Sequence, residues 1–188
     1  MPLPAPTPRT PAHTRKVTFS GFEREDGLWD IEGRITDEKT YEHPNEWRGT
    51  LKPGDHVHDM SIRLTLDHKF TILDVEAVTD ASPYRMCGDI TPNFARLKGI
   101  RIERGWTRQL KDIIGGPNGC THQWELLGRV AAVAYQTTNN ARQAKFPRKT
   151  GEIPRTFNTC HMYTPESSET QRRWPELYTG PKKSAAHS

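Results

Sequence analysis

Apolar and polar side chains alternate with period two from residue 17 to about residue 80, which predicts β-structure. In LWDIEGRI (28–35), Leu28, Asp30, Glu32 and Arg34 fall on one side and Trp29, Ile31, Gly33 and Ile35 on the other. One face is polar and its opposite apolar. MSIRLTL (60–66) likewise sets Met60, Ile62, Leu64 and Leu66 against Ser61, Arg63 and Thr65. FTILDVEAV (70–78) follows after the turn DHK, so these two strands read as a hairpin. Residues 17–24 supply a first strand, while 42–55, with Pro44 and the Pro53-Gly54 turn, read as loop. The pattern predicts an antiparallel sheet of about four strands with one solvated face.

After Pro83 the period changes. Residues 91–98 and 107–114 fit short helices, and 121 to about 142 fit a long one. Along it Leu126, Leu127, Val130, Ala131, Val133 and Ala134 form a broad apolar stripe. Strands followed by helices predict a two-layer α+β fold. The segment FNTCHMY (157–163) looks extended and reads as a last edge strand, which would suit a homodimer. Trp29, Trp47, Trp106, Trp124 and Trp174 read as core or core-edge anchors, Trp106 also as a pocket wall.

Composition narrows the class. Only 33% of the 188 residues are hydrophobic, and proline-rich or basic ends account for part of that. Residues 1–16 and 179–188 read as disordered tails around a single domain at 17–178. No window resembles a membrane span, and the first residues lack the apolar run of a secretory leader. Three widely spaced cysteines do not form a disulfide framework, so a cytoplasmic, reducing setting is expected. The net charge of +4 invites a nucleic-acid partner. Most basic residues are scattered among acids, however, and no aromatic platform interleaves with them, which argues against one.

The groups suited to a soft or borderline metal are Cys87, Cys120 and Cys160 with His56, His58, His122 and His161. No CxxC pair exists, so spacing alone is a weak signal. Location is more informative. His58-Asp59 opens a strand, Cys87 follows the last strand of the sheet, and Cys120 sits where the turn GGPNG becomes the long helix. Strand ends and a helix start meet at one rim of an α+β sandwich, where sites are commonly built. Taken singly, each has an ordinary explanation: a hydrogen-bonded imidazole, a turn aspartate, a small buried thiol, a capping histidine. Asp30, Glu32 and Arg34 read either as an ion-paired solvent face or as the wall of a cleft. There is no phosphate-cradling glycine loop with its lysine, no serine elbow and no HExxH.

The stretches EREDGLWDIEGRITDEKTY, HVHDMSIRLTL, GGPNGCTHQWELL and AYQTT resemble the bacterial domain of unknown function 2889 family over roughly residues 15–163. That family is uncharacterised, with a loose association with aromatic or acyl-CoA breakdown. The order sheet, cysteine, helix-opening cysteine is also similar to NifU/SufU-type iron–sulfur scaffold domains. This second resemblance implies a metal held by Asp59, Cys87 and Cys120, with Val57-His58 standing where that family has Cys-Gly. Replacement of a thiolate favours zinc over cluster assembly, with iron as the alternative. The expected function is then a zinc-type metalloprotein, a hydrolase or lyase acting on a small acyl or aromatic carbonyl or thioester compound. His58 or His122 would be its general base or proton shuttle; if His122 ligates, the site closes and is structural. A sulfur-transfer or iron–sulfur accessory protein and a non-catalytic binding module are the competing expectations.

Overall fold

The computed structural model describes residues 3–149 and 151–180. Strands β1 (His13–Glu23), β2 (Trp29–Lys39), β5 (His56–Leu66) and β6 (Ile72–Ala81) form one antiparallel sheet in the order β1-β2-β5-β6. Between β2 and β5 the chain makes a small hairpin of β3 (His43–Asn45) and β4 (Gly49–Leu51). The helices α1 (Trp106–Ile114) and α2 (Thr121–Lys145) follow, so the fold is α+β. Among the described residues no helix is long and apolar enough to cross a membrane.

The sheet is organised by the parity of its strands. Register pairs Ile31 with Leu64, Gly33 with Ile62 and Ile35 with Met60, which lays two apolar rows side by side. All but the glycine are buried side chains. Helix α2 covers this inner face with Leu126, Leu127, Val130 and Ala134, and the Trp106 indole N–H donates to the Leu127 carbonyl at 3.1 Å. Each of the buried leucines and the valine contributes about 1.5–3 kcal/mol. The outer face carries the ion pairs Arg34–Asp59, Arg63–Glu32, Arg63–Glu76 and Arg24–Asp30. Exposed pairs such as those of Arg63 contribute roughly 0–1 kcal/mol each, so the inner rows hold the fold together. Asp30, Glu32 and Arg34 are thus an ion-paired face. Glu32 and Arg34 also line a shallow depression of about 430 Å³ on it.

Several elements differ from the pattern-based expectation. Strand β1 starts at His13, inside the stretch read as a tail, because residues 13–16 pair with 36–39 of β2. Residues 42–55 form the hairpin, too short to show alternation, with the Asn45 carboxamide oxygen accepting from the Trp47 and Arg48 amides. Arg85–Leu97, with Pro92 inside it, is a 3-10 helix instead of an α-helix beginning at 91. Trp47 is exposed and is no core anchor.

The chain divides into two compact units, Met1–Asn140 and Ala141–Ser188. Within the second, residues 157–163 turn and end in a 3-10 helix, His161–Tyr163, so the expected edge strand is not formed. Asn158 takes a left-handed conformation, φ 54°, and its amide donates to the Tyr163 carbonyl at 2.7 Å. Trp174 packs edge-on against Phe157 and is tilted on Tyr163, and α3 (Ser168–Arg173) is capped by the Ser167 hydroxyl.

At Gly21 strand β1 lies close against α2. A Cβ there would lie 1.9 Å from Thr137 Oγ1. Gly21→Ala should therefore cost about 1–3 kcal/mol through overpacking, read as a lower denaturation midpoint. Adding Thr137→Ala should recover part of the loss.

Candidate metal centre

Parity also delivers polar groups to the inner face. The row Trp29, Ile31, Gly33, Ile35 continues to Asp37, and the row Met60 to Leu66 runs back to His58. Asp37 pairs directly with His58 on one side and with Arg15 of β1 on the other. Directly opposed residues share a face, so Arg15, Asp37 and His58 form one transverse row at the end of the sheet. The first turn of α2 meets this row: the His122 ring lies 3.8 Å, centroid to centroid, from the His58 ring, and Glu125 pairs with Arg15 at 2.9 Å.

Asp37 is the centre of the row. Its Oδ1 accepts from Arg15 Nε at 2.9 Å and lies 2.7 Å from His13 Nε2. Its Oδ2 accepts from Arg15 Nη2 at 2.8 Å and lies 2.9 Å from His58 Nδ1. The carboxylate is only 3% exposed. Burial pushes its pKa up, but the two-pronged guanidinium and His13 outweigh burial and hold it down at about 2. Asp37 is therefore ionised. His58 and His122 are both lowered, chiefly by burial; Asp37 opposes the effect at His58, and the neighbouring His58 adds to it at His122. The two imidazoles are thus held towards their neutral, ligating form.

Among the described residues, Asp37, His58 and His122 are the one group of three or more His, Cys, Asp or Glu side chains whose ligand atoms all lie within 4.8 Å of one another. Two of the three, His58 and His122, are residues that the sequence singles out, although as base or shuttle.

The expected ligands are distributed differently. Asp59, one residue on from His58, projects from the opposite face of β5, where Arg34 clamps both carboxylate oxygens at 2.8 and 2.6 Å and His56 Nδ1 lies at 3.1 Å. Strand alternation therefore separates it from Cys120, whose sulfur touches Met60 on the inner face at 3.7 Å. Cys87, half-buried, lies in the 3-10 helix after β6, outside the group. Cys120 is a near neighbour of the group, with Sγ 3.8 Å from His122 Nδ1. The NifU-type set of Asp59, Cys87 and Cys120 is not brought together. Cys160 is exposed and His161 adjoins it in the second unit.

The ion pair has a stability signature. A carboxyl held at about 2 against an ordinary 3.8 stabilises the fold fully above pH about 4. That stabilisation, roughly 2 kcal/mol, is lost as pH falls through about 2. Asp37→Asn should be less stable at neutral pH and should lack this acid loss, measured as denaturant midpoints from pH 2 to 7. A variant keeping the wild-type pH dependence would assign the acid limb to another group.

A family model described as a protein of unknown function, DUF2889, matches residues 13–136. No match is found among curated proteins or among solved structures. The matched stretch begins at His13, the first residue in contact with Asp37, and includes Arg15, Asp37, His58, Cys120, His122 and Glu125. Spanning more than half of the chain, and all of the centre, it makes this protein a member of the DUF2889 family.

Proposed function

We propose that this protein is a metalloprotein whose centre is Asp37, His58 and His122, with zinc as the cation and hydrolase or lyase chemistry at a carbonyl or thioester. The observation that supports this is the convergence of one carboxylate and two imidazoles within 4.8 Å. Two imidazoles and a carboxylate are the donor set of an open zinc site, in which a further position is left for water or substrate. The protonation states fit: the carboxylate is held ionised and both rings are held towards neutrality. Zinc, when bound, polarises a carbonyl oxygen and acidifies a bound water.

The chain's own groups do the positioning. Because an ionised carboxylate accepts only, His58 Nδ1 donates to Asp37 when no ion is bound; for the two to share an ion, the metal would take the place of that proton between Nδ1 and Oδ2. Arg15 and His13 fix the orientation of the carboxylate in turn. In this reading the two histidines ligate, which replaces the general-base role expected from sequence. Cys120 borders a depression of about 270 Å³ lined by Ile114, Trp124 and the backbone of Gly115, Gly116 and Gly119. Its apolar walls suit the body of a small acyl or aromatic substrate.

Elemental mass spectrometry on untagged protein tests the reading. About one zinc per chain is expected in the wild type, lost in His58→Ala and His122→Ala and retained in Asp59→Asn and Cys87→Ser. Metal-free wild type would sink it. Zinc that survives His58→Ala but not Cys87→Ser would restore the ligand set expected from sequence.

A further inference from the structure

Met60 is completely enclosed, and its sulfur is turned towards the first residue before α2. Cys120 Sγ lies 3.7 Å from Met60 Sδ and 3.8 Å from His122 Nδ1. A tetrahedral ion with bonds of about 2.3 Å to sulfur and about 2.0 Å to nitrogen holds its sulfurs roughly 3.8 Å apart and a sulfur–nitrogen pair roughly 3.6 Å apart. Both observed separations fall close to the edges of such a polyhedron. A thiol, a thioether and an imidazole are also a coherent chemical set. Thioether sulfur is a poor partner for hard or borderline cations, whereas thiolate and thioether together select soft monovalent ones.

We infer that Cys120, Met60 and His122 form a binding site for copper(I), adjoining the Asp37, His58 and His122 group and sharing His122 with it. The inference goes beyond the zinc reading and stands without it, since neither sulfur belongs to that group. The site has a route for the ion: Cys120 is half-buried and lines the 270 Å³ depression, so a donor can reach its sulfur without opening the core. Binding displaces the thiol proton to solvent as the copper–sulfur bond forms, with no change in oxidation state. His122 is the point of competition. A cation held between Asp37 and His58 and a cation held by the two sulfurs both draw on its ring, so loading one site weakens the other.

Metal-free full-length protein, kept anaerobic, is titrated with copper(I) against a chromophoric copper(I) chelator and separately with zinc. Met60→Leu is close to volume-conserving in the core and should fold; Cys120→Ser and Asp37→Asn complete the set. Copper(I) affinity should fall by about tenfold or more in Met60→Leu and in Cys120→Ser, while zinc affinity in both stays at the wild-type value. Asp37→Asn should do the reverse. Prior zinc loading should weaken copper(I) binding in the wild type. Equal copper(I) affinity in wild type and Met60→Leu, at unchanged zinc binding, would overturn the copper site and leave the zinc reading intact. Copper(I) binding that depends on Met60, in a protein that takes no zinc, would do the opposite.

Discussion

A full negative charge on Asp37 is buried at the end of the sheet, and the rest of the centre follows from how that charge is kept. An unpaired carboxylate in such surroundings would take up a proton instead of ionising. Arg15 prevents this by presenting two parallel N–H donors from the neighbouring strand, in a geometry that a lysine would not reproduce. His13 and His58 occupy further positions around the two oxygens. Removing one partner of a pair this buried commonly costs more than the pair itself contributes. The strand β1 is thus bound to the site by Asp37 as well as by its backbone ladder.

Much of the sheet was legible because its strands obey one parity. Trp29, Ile31 and Ile35 announce the covered face, and so do Met60, Ile62, Leu64 and Leu66. The long helix was legible from its stripe and from the glycine turn before it. The centre was only half legible. His58 and His122 were found from their places at a strand start and a helix start. Asp37 was not, although the signal existed: counting on from Ile35 by two reaches an aspartate at a position where the face is apolar. The same count leads back from Val17 to Arg15 and His13, in a proline-rich stretch that composition alone assigns to a tail. The NifU/SufU-type resemblance points instead to Asp59. Yet an odd step along a strand turns a side chain to the other side of the sheet.

The centre also brings two kinds of donor into contact at one helix start. Oxygen and imidazole come from the sheet end, sulfur from Met60 and Cys120, and His122 lies between them. Its ring stacks on His58 while one of its nitrogens faces Cys120. The glycines at 115, 116 and 119 keep this helix start approachable. A Cβ at Gly115 or Gly119 would collide with backbone carbonyl oxygens at 2.3 and 2.1 Å, so the turn tolerates no side chain at those two positions.

Arg15 bridges Asp37, 22 residues away, and Glu125, 110 residues away. The Asp37 contact lies within the β1–β2 pair, whereas the one to Glu125 joins distant parts of the chain and carries the larger loop-closure cost. The His58–His122 contact and the Arg15–Glu125 pair thus have no counterpart in a molecule whose α2 is unmade. Once β2 has joined the hairpin of β5 and β6, Asp59 stands beside Arg34, but His58 still waits for a helix not yet in place. Any ligand of this centre recognises the finished topology, and in binding it selects against every intermediate that lacks α2.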